Sequence, residues 1–177
     1  MATMTRESGA PGELFSRDFD EIEPGMTFAT RGRTITEADV VAFGTLTGDL
    51  HPQHMDAVWA SDSIFEERIA HGMLVLSYGI GLVPLPPERV VALRRIREAT
   101  FKAPARFGDT ITVEGSVRDL RPLADGLGQV SCSLKILNQE RKTLVRVTID
   151  VLWRRAAVRE SGEEVVAGAE TVEGVLL

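Results

Sequence analysis

The chemistry-bearing residues of this sequence gather between Thr47 and Leu74. The stretch begins Thr47-Gly48-Asp49-Leu50-His51-Pro52-Gln53-His54 and ends Ile69-Ala70-His71-Gly72-Met73-Leu74. Asp49 and His54 are separated by four residues, with Gly48 ahead of them and Pro52 between, a composition that predicts a rigid loop rather than a helix. Such a loop can aim a carboxylate and an imidazole at one point, where they could hold and activate a water. Gly72 opens the uncharged run Met73 to Val83, which predicts a buried helix. A glycine N–H at that helix's N-terminus is suited to stabilising an oxyanion.

Taken singly, each residue also has a plainer role. Asp49 could close an Asx turn after Gly48, His54 could be a structural histidine, and Gly72 could serve only tight helix packing. His71, just before the helix, is expected to cap it or fix the loop. His51 either reaches the same pocket or faces solvent. The small residues Gly72, Ser77, Gly79 and Gly81 would let a backbone or an acyl chain approach the helix. Arg89, Arg94, Arg95, Arg97, Lys102 and Arg106 could hold phosphates or simply form a solvated strand face. Asp56 and Asp62 lie near the histidines but fit no familiar metal-ligand spacing, so no metal is expected.

Asp49, His54 and the Ile69 to Leu74 element resemble the paired motif of the MaoC-like hydratases, a family that includes the (R)-specific enoyl-CoA hydratases. The resemblance extends from about Phe19 to Trp153. It implies a hot-dog fold, a homodimer, and hydration of trans-2-enoyl thioesters or dehydration of (R)-3-hydroxyacyl thioesters, with no cofactor. Asp49 and His54 would then be catalytic and the Gly72 N–H the oxyanion donor; Ser77, His51, His71, Arg95 and Arg97 are candidate substrate contacts from the residues themselves. The acyl group would ride on coenzyme A or an acyl carrier protein. One residue departs from the pattern, because His51 stands where the family usually has Asn. A hot-dog thioesterase and a non-catalytic acyl-thioester-binding subunit are the rival readings.

The 177-residue chain suits a single domain. Its net charge is −6, but residues 156 to 177 set Arg159 against five glutamates, which leaves residues 1 to 155 at only −2. That near-neutrality argues against nucleic-acid binding. Cys132 is the only cysteine, which excludes an intrachain disulfide and points to a reducing compartment. Residues 1 to 13 lack the apolar core of a signal peptide, so the cytoplasm is expected. Ile69 to Leu85 is uncharged apart from His71, but glycines and Pro84 interrupt it, so it predicts a buried helix rather than a membrane span.

A flexible arm is expected over residues 1 to 13, one domain over 14 to 155 and a flexible acidic tail over 156 to 177. Met26 to Ile35 predicts a first strand. Thr36, with Asp39 three residues on, predicts a helix N-cap, and Gly48 the helix end. Met55 to Arg68 reads as an irregular flap with a helical turn. Val90 to Phe101 is a further strand candidate. Three segments then alternate apolar and polar residues, around Ile111 to Val117, Val130 to Ile136 and Val145 to Trp153, with Asp125-Gly126 in the first turn between them. They predict an antiparallel meander. One apolar helix wrapped by such a sheet is an α+β architecture.

Overall fold

The alternating segments form the strands they predict. In the structure, a computed structural model that describes residues 13–156, they become β4 (Thr110–Pro122), β5 (Leu127–Leu137) and β6 (Thr143–Arg154). The expected arm up to residue 12 and the tail beyond Ala156 lie outside the described residues. The three strands pair antiparallel in chain order, and β3 (Val90–Phe101) adds to the far side of β6. Asp125 and Gly126 both take positive φ, 57° and 67°, as the tight turn between β4 and β5 requires.

One face of this sheet is apolar. Ile111, Val113 and Val117 of β4, Val130, Leu134 and Ile136 of β5, and Val145, Val147, Ile149, Val151 and Trp153 of β6 share a buried cluster with Leu74, Val75 and Leu76. The last three belong to α4 (Gly72–Leu82), the long helix that the sheet wraps. Each large aliphatic side chain buried there contributes roughly 1.5–3 kcal/mol. Gly79 sets how closely α4 and β5 approach, because a Cβ on it would fall 2.2 Å from Cδ1 of Ile136.

The segment expected as one strand from Met26 to Ile35 is instead two short ones, β1 (Thr27–Ala29) and β2 (Arg33–Thr34), both paired with β4. Ala29 lies opposite Glu114 and Arg33 opposite Ile111, so this segment holds one more residue than the stretch of β4 facing it. The extra residue breaks the ladder. Then comes α1 (Glu37–Thr47), started by Thr36, whose hydroxyl accepts from the Asp39 N–H while the Asp39 carboxylate accepts from the Thr36 N–H. Gly48, at φ 79°, ends it in a left-handed turn and sends the chain to Asp49.

The loop expected from Asp49 to His54 is partly helical. Pro52 starts a single turn, α2 (Pro52–Met55), because proline at the first helical position loses no hydrogen bond and already has a helical φ. The flap contains α3 (Ala57–Ser61), and Asp56 caps it by accepting from the N–H groups of Val58 and Trp59. Among the described residues no helix is long and apolar enough to cross a membrane.

Candidate active site

His54, at the end of α2, is buried. Its Nδ1 lies 2.7 Å from the Ile69 carbonyl. A carbonyl only accepts, so Nδ1 carries the proton and the neutral ring presents a lone pair at Nε2. The Ile69 N–H donates in return to the Gln53 carbonyl at 3.1 Å, which staples α2 to the chain entering α4. Burial holds His54 below the ordinary imidazole pKa. The nearby His71 and His51 push the same way, against the pull of the Ile69 hydrogen bond and the Asp49 charge.

His71 is buried and stacks on His54, with ring centroids 3.8 Å apart and planes 29° apart. Phe43 of α1 packs on it too, at 5.1 Å. Its Nε2 donates to the Asp49 main-chain carbonyl at 2.9 Å, while its side chain makes no cap bond to α4. Of the two roles expected of His71, fixing the loop is therefore observed and capping is not. His51 does cap a helix, since its Nδ1 accepts from the Gln53 N–H at 3.2 Å and starts α2. An asparagine at that position would be a favoured cap as well, so the departure at His51 preserves the local structure.

Asp49 is exposed at the rim. One of its carboxylate oxygens and one ring nitrogen each of His54 and His71 lie within 4.8 Å of one another. By proximity alone the three could surround a cation. Three of the four ring nitrogens are nevertheless engaged, with the Ile69 carbonyl, the Gln53 side chain and the Asp49 carbonyl. Asp49 and His54 share no direct hydrogen bond, and two groups at this separation can be bridged by one water.

These residues line a cavity of about 440 Å³ together with Gly72, Phe65, Phe101 and Lys102. As the first residue of α4, Gly72 has no intrahelical acceptor for its N–H. The Phe101 ring lies against its Cα, so a side chain on Gly72 would collide with it. Ser77, Arg95 and Arg97 do not line this cavity. Ser77 faces a separate groove beside Arg31, Arg33 and Tyr78. Arg97 pairs with the buried Asp150 at 2.7 Å, and Arg95 sits beside it opposite Asp150 in the β3–β6 ladder. Arg89 pairs with Asp18, Arg106 with Glu67, and Arg94 donates to the Gln129 side chain; of the basic run, Lys102 lines the cavity. Sequence reasoning passed over Phe101 and Gln53. Gln53 is adjacent to His54 in the motif, but nothing in the spacing shows where its amide turns.

A sheet wrapped around one helix, with an acid and an imidazole at that helix's N-terminus, defines a hot-dog domain with a site beside its central helix. A Mycobacterium tuberculosis protein described as having a double hot-dog fold superposes with a TM-score of 0.72 at 20% identity, covering 82% of this chain and 46% of that one. The chain belongs to the MaoC-like family, because residues 20–135 match the model described as MaoC like domain. It is 42% identical over 100 residues to Protein MaoC of Klebsiella aerogenes, covering 56% of this chain but only 30% of that protein. With the (R)-specific enoyl-CoA hydratase of Rhodospirillum rubrum it shares 33% identity over 110 residues, 62% of this chain and 76% of the relative.

Proposed function

We propose that this chain adds water to trans-2-enoyl thioesters, giving (R)-3-hydroxyacyl thioesters, or runs the reverse dehydration. The observation that carries this reading is the spacing of Asp49 and His54, unbonded to each other yet within reach of one water, beside the first N–H of α4. The names of relatives such as the Rhodospirillum rubrum hydratase support it.

Conjugation with the thioester carbonyl makes Cβ electrophilic. The bridging water loses a proton to Nε2 of His54 as its oxygen bonds to Cβ, and the alkene electrons move through Cα to the carbonyl oxygen. The Gly72 N–H and the α4 dipole stabilise that oxyanion, a contribution of about 3 kcal/mol for one such donor. Asp49 orients the water and takes part in returning the proton to Cα, so the elements of one water end on Cβ and Cα. Both come from the loop side of the planar enoyl group, which makes the addition syn. The names of (R)-specific relatives support the (R) hand. The carrier is coenzyme A or an acyl carrier protein, whose anionic groups would meet Lys102 on the cavity lining.

The test is turnover of crotonyl-CoA, read as loss of enoyl absorbance with free thiol followed in parallel. Hydration without thiol release is expected, and Asp49→Asn and His54→Ala should each lower kcat/KM by about 100-fold or more. Their losses should not add, since both groups hold one water. Coupling to an (S)-specific 3-hydroxyacyl-CoA dehydrogenase should yield no NADH. Thiol release would indicate a thioesterase, and absence of any turnover a binding subunit.

A further inference from the structure

Gln53 is half-buried on the cavity wall, and its side-chain nitrogen lies 3.0 Å from Nε2 of His54. Because Nδ1 is committed to the Ile69 carbonyl, Nε2 is the nitrogen that gains and loses a proton. With the ring neutral, the Gln53 NH₂ donates into the Nε2 lone pair. With a proton on Nε2 the same arrangement would set two N–H groups against each other. The Gln53 side-chain oxygen is attached to the same carbon as that NH₂, and among the described residues it has no hydrogen-bond partner. Among the described residues only the bond to Nε2 of His54 orients the amide, and its last torsion is soft. A half-turn replaces a donor by an acceptor at nearly the same point.

We propose that Gln53 is a positioning residue that partners His54 in both protonation states, its terminal amide turning over as the ring gains or loses the proton. The role rests on the reading of His54 as the base. During hydration, water displaces the NH₂ from Nε2 and gives up its proton there, and the turned carbonyl then accepts from the new N–H until the proton passes on to Cα. The partner is needed because His54 is only 4% exposed, and a buried imidazolium with an unpaired N–H is costly. The charged and titratable groups facing the ring are the Asp49 carboxylate from the loop after α1, His71 stacked from the start of α4, and His51 from the start of α2 at 6.4 Å. Lys102, at the end of β3, lines the same cavity. Asp49 favours the imidazolium and the other three oppose it.

The experiment titrates His54 by NMR without substrate, assigned by the resonance missing in His54→Ala, and in parallel measures kcat against pH for crotonyl-CoA. Gln53→Met removes both partners, and the acceptor on the charged ring is the stronger one, so the His54 midpoint should fall by about 0.5 to 1 on the pH scale. The kcat should drop about fivefold to tenfold. Gln53→Glu can only accept, so the midpoint should rise. A rise in Gln53→Met would show an amide pinned as a donor, and an unmoved midpoint would show no partnership. Either result overturns the proposal, and Gln53→Leu repeats the test should the Met variant fail to fold. If the two variants move the midpoint as expected while the wild-type protein turns over no enoyl thioester, the hydratase reading falls and the partnership of Gln53 with His54 stands.

Discussion

Gly72→Ala separates the stability of the central helix from the fit of its first residue against Phe101. An added methyl carbon would lie 2.8 Å from Cδ1 and Cε1 of Phe101 and 3.2 Å from Cζ. Comfortable carbon contacts begin near 3.5 Å, so about 0.7 Å of overlap has to be relieved. The ring is the free end of a side chain that is 49% exposed, so it can swing aside without unfolding the sheet. In the helix itself alanine gains up to about 1 kcal/mol over glycine. The melting temperature should therefore stay level or rise by up to about 3 °C. Activity should move the other way, because methyl and displaced ring crowd the point where the thioester oxygen must meet the Gly72 N–H. Loss of one such donor costs about 100-fold or more in kcat. Calorimetry beside crotonyl-CoA turnover measures both, and Phe101→Ala on top of Gly72→Ala should restore most of the rate. A Gly72→Ala protein with wild-type kcat, or one that Phe101→Ala cannot rescue, would refute the reasoning.

Three further outcomes are expected. Because burial holds His54 below the usual imidazole pKa and the base must be neutral, kcat/KM should be level between about pH 7 and 8 and fall only at pH values below about 6.5. A limb falling above pH 7 would count against His54 as the base. Asp39 resists the effect of its burial through hydrogen bonds from Thr36 and the Tyr78 hydroxyl, which hold its pKa at about 2 against 3.8. It therefore contributes about 2 kcal/mol above pH 4 that is lost as the pH falls towards 2. Tyr78→Phe should be less stable than wild type at pH 6, with the gap closing at pH 2 in urea titrations. Finally, among the described residues β3 pairs only with β6, and it exposes Val91 and Ile96 on an edge that a second copy would cover. Sedimentation should give a dimer of the 19.3 kDa chain, and a fully active monomer at micromolar concentration would contradict this.

Much of the fold was legible because its signals are local. Period-two alternation marks β4, β5 and β6 whatever they pair with, Thr36 and Gly48 bracket α1, and the uncharged run after Gly72 marks α4. Strand breakage between β1 and β2 was not legible, because it depends on the residue count of the facing stretch of β4. For the short turn α2, Pro52 in the sequence favours a loop, although proline is equally suited to the first position of a helix. Only the Gln53 N–H donating to His51 decides between them.

The site divides in the same way. Residue types and spacing in the sequence by themselves nominated Asp49, His54 and Gly72, because a carboxylate, an imidazole and a helix-opening glycine carry their chemistry wherever the chain places them. Which nitrogen of His54 carries the proton was decided by the Ile69 carbonyl, 15 residues away. That Arg97 serves the buried Asp150 while Lys102 lines the cavity was decided by the pairing of β3 with β6, which sets Arg95 opposite Asp150 and carries the chain on to Lys102. Hydrogen bonds and ion pairs act over about 3 Å, and a side chain acquires those partners only when distant segments have packed against each other.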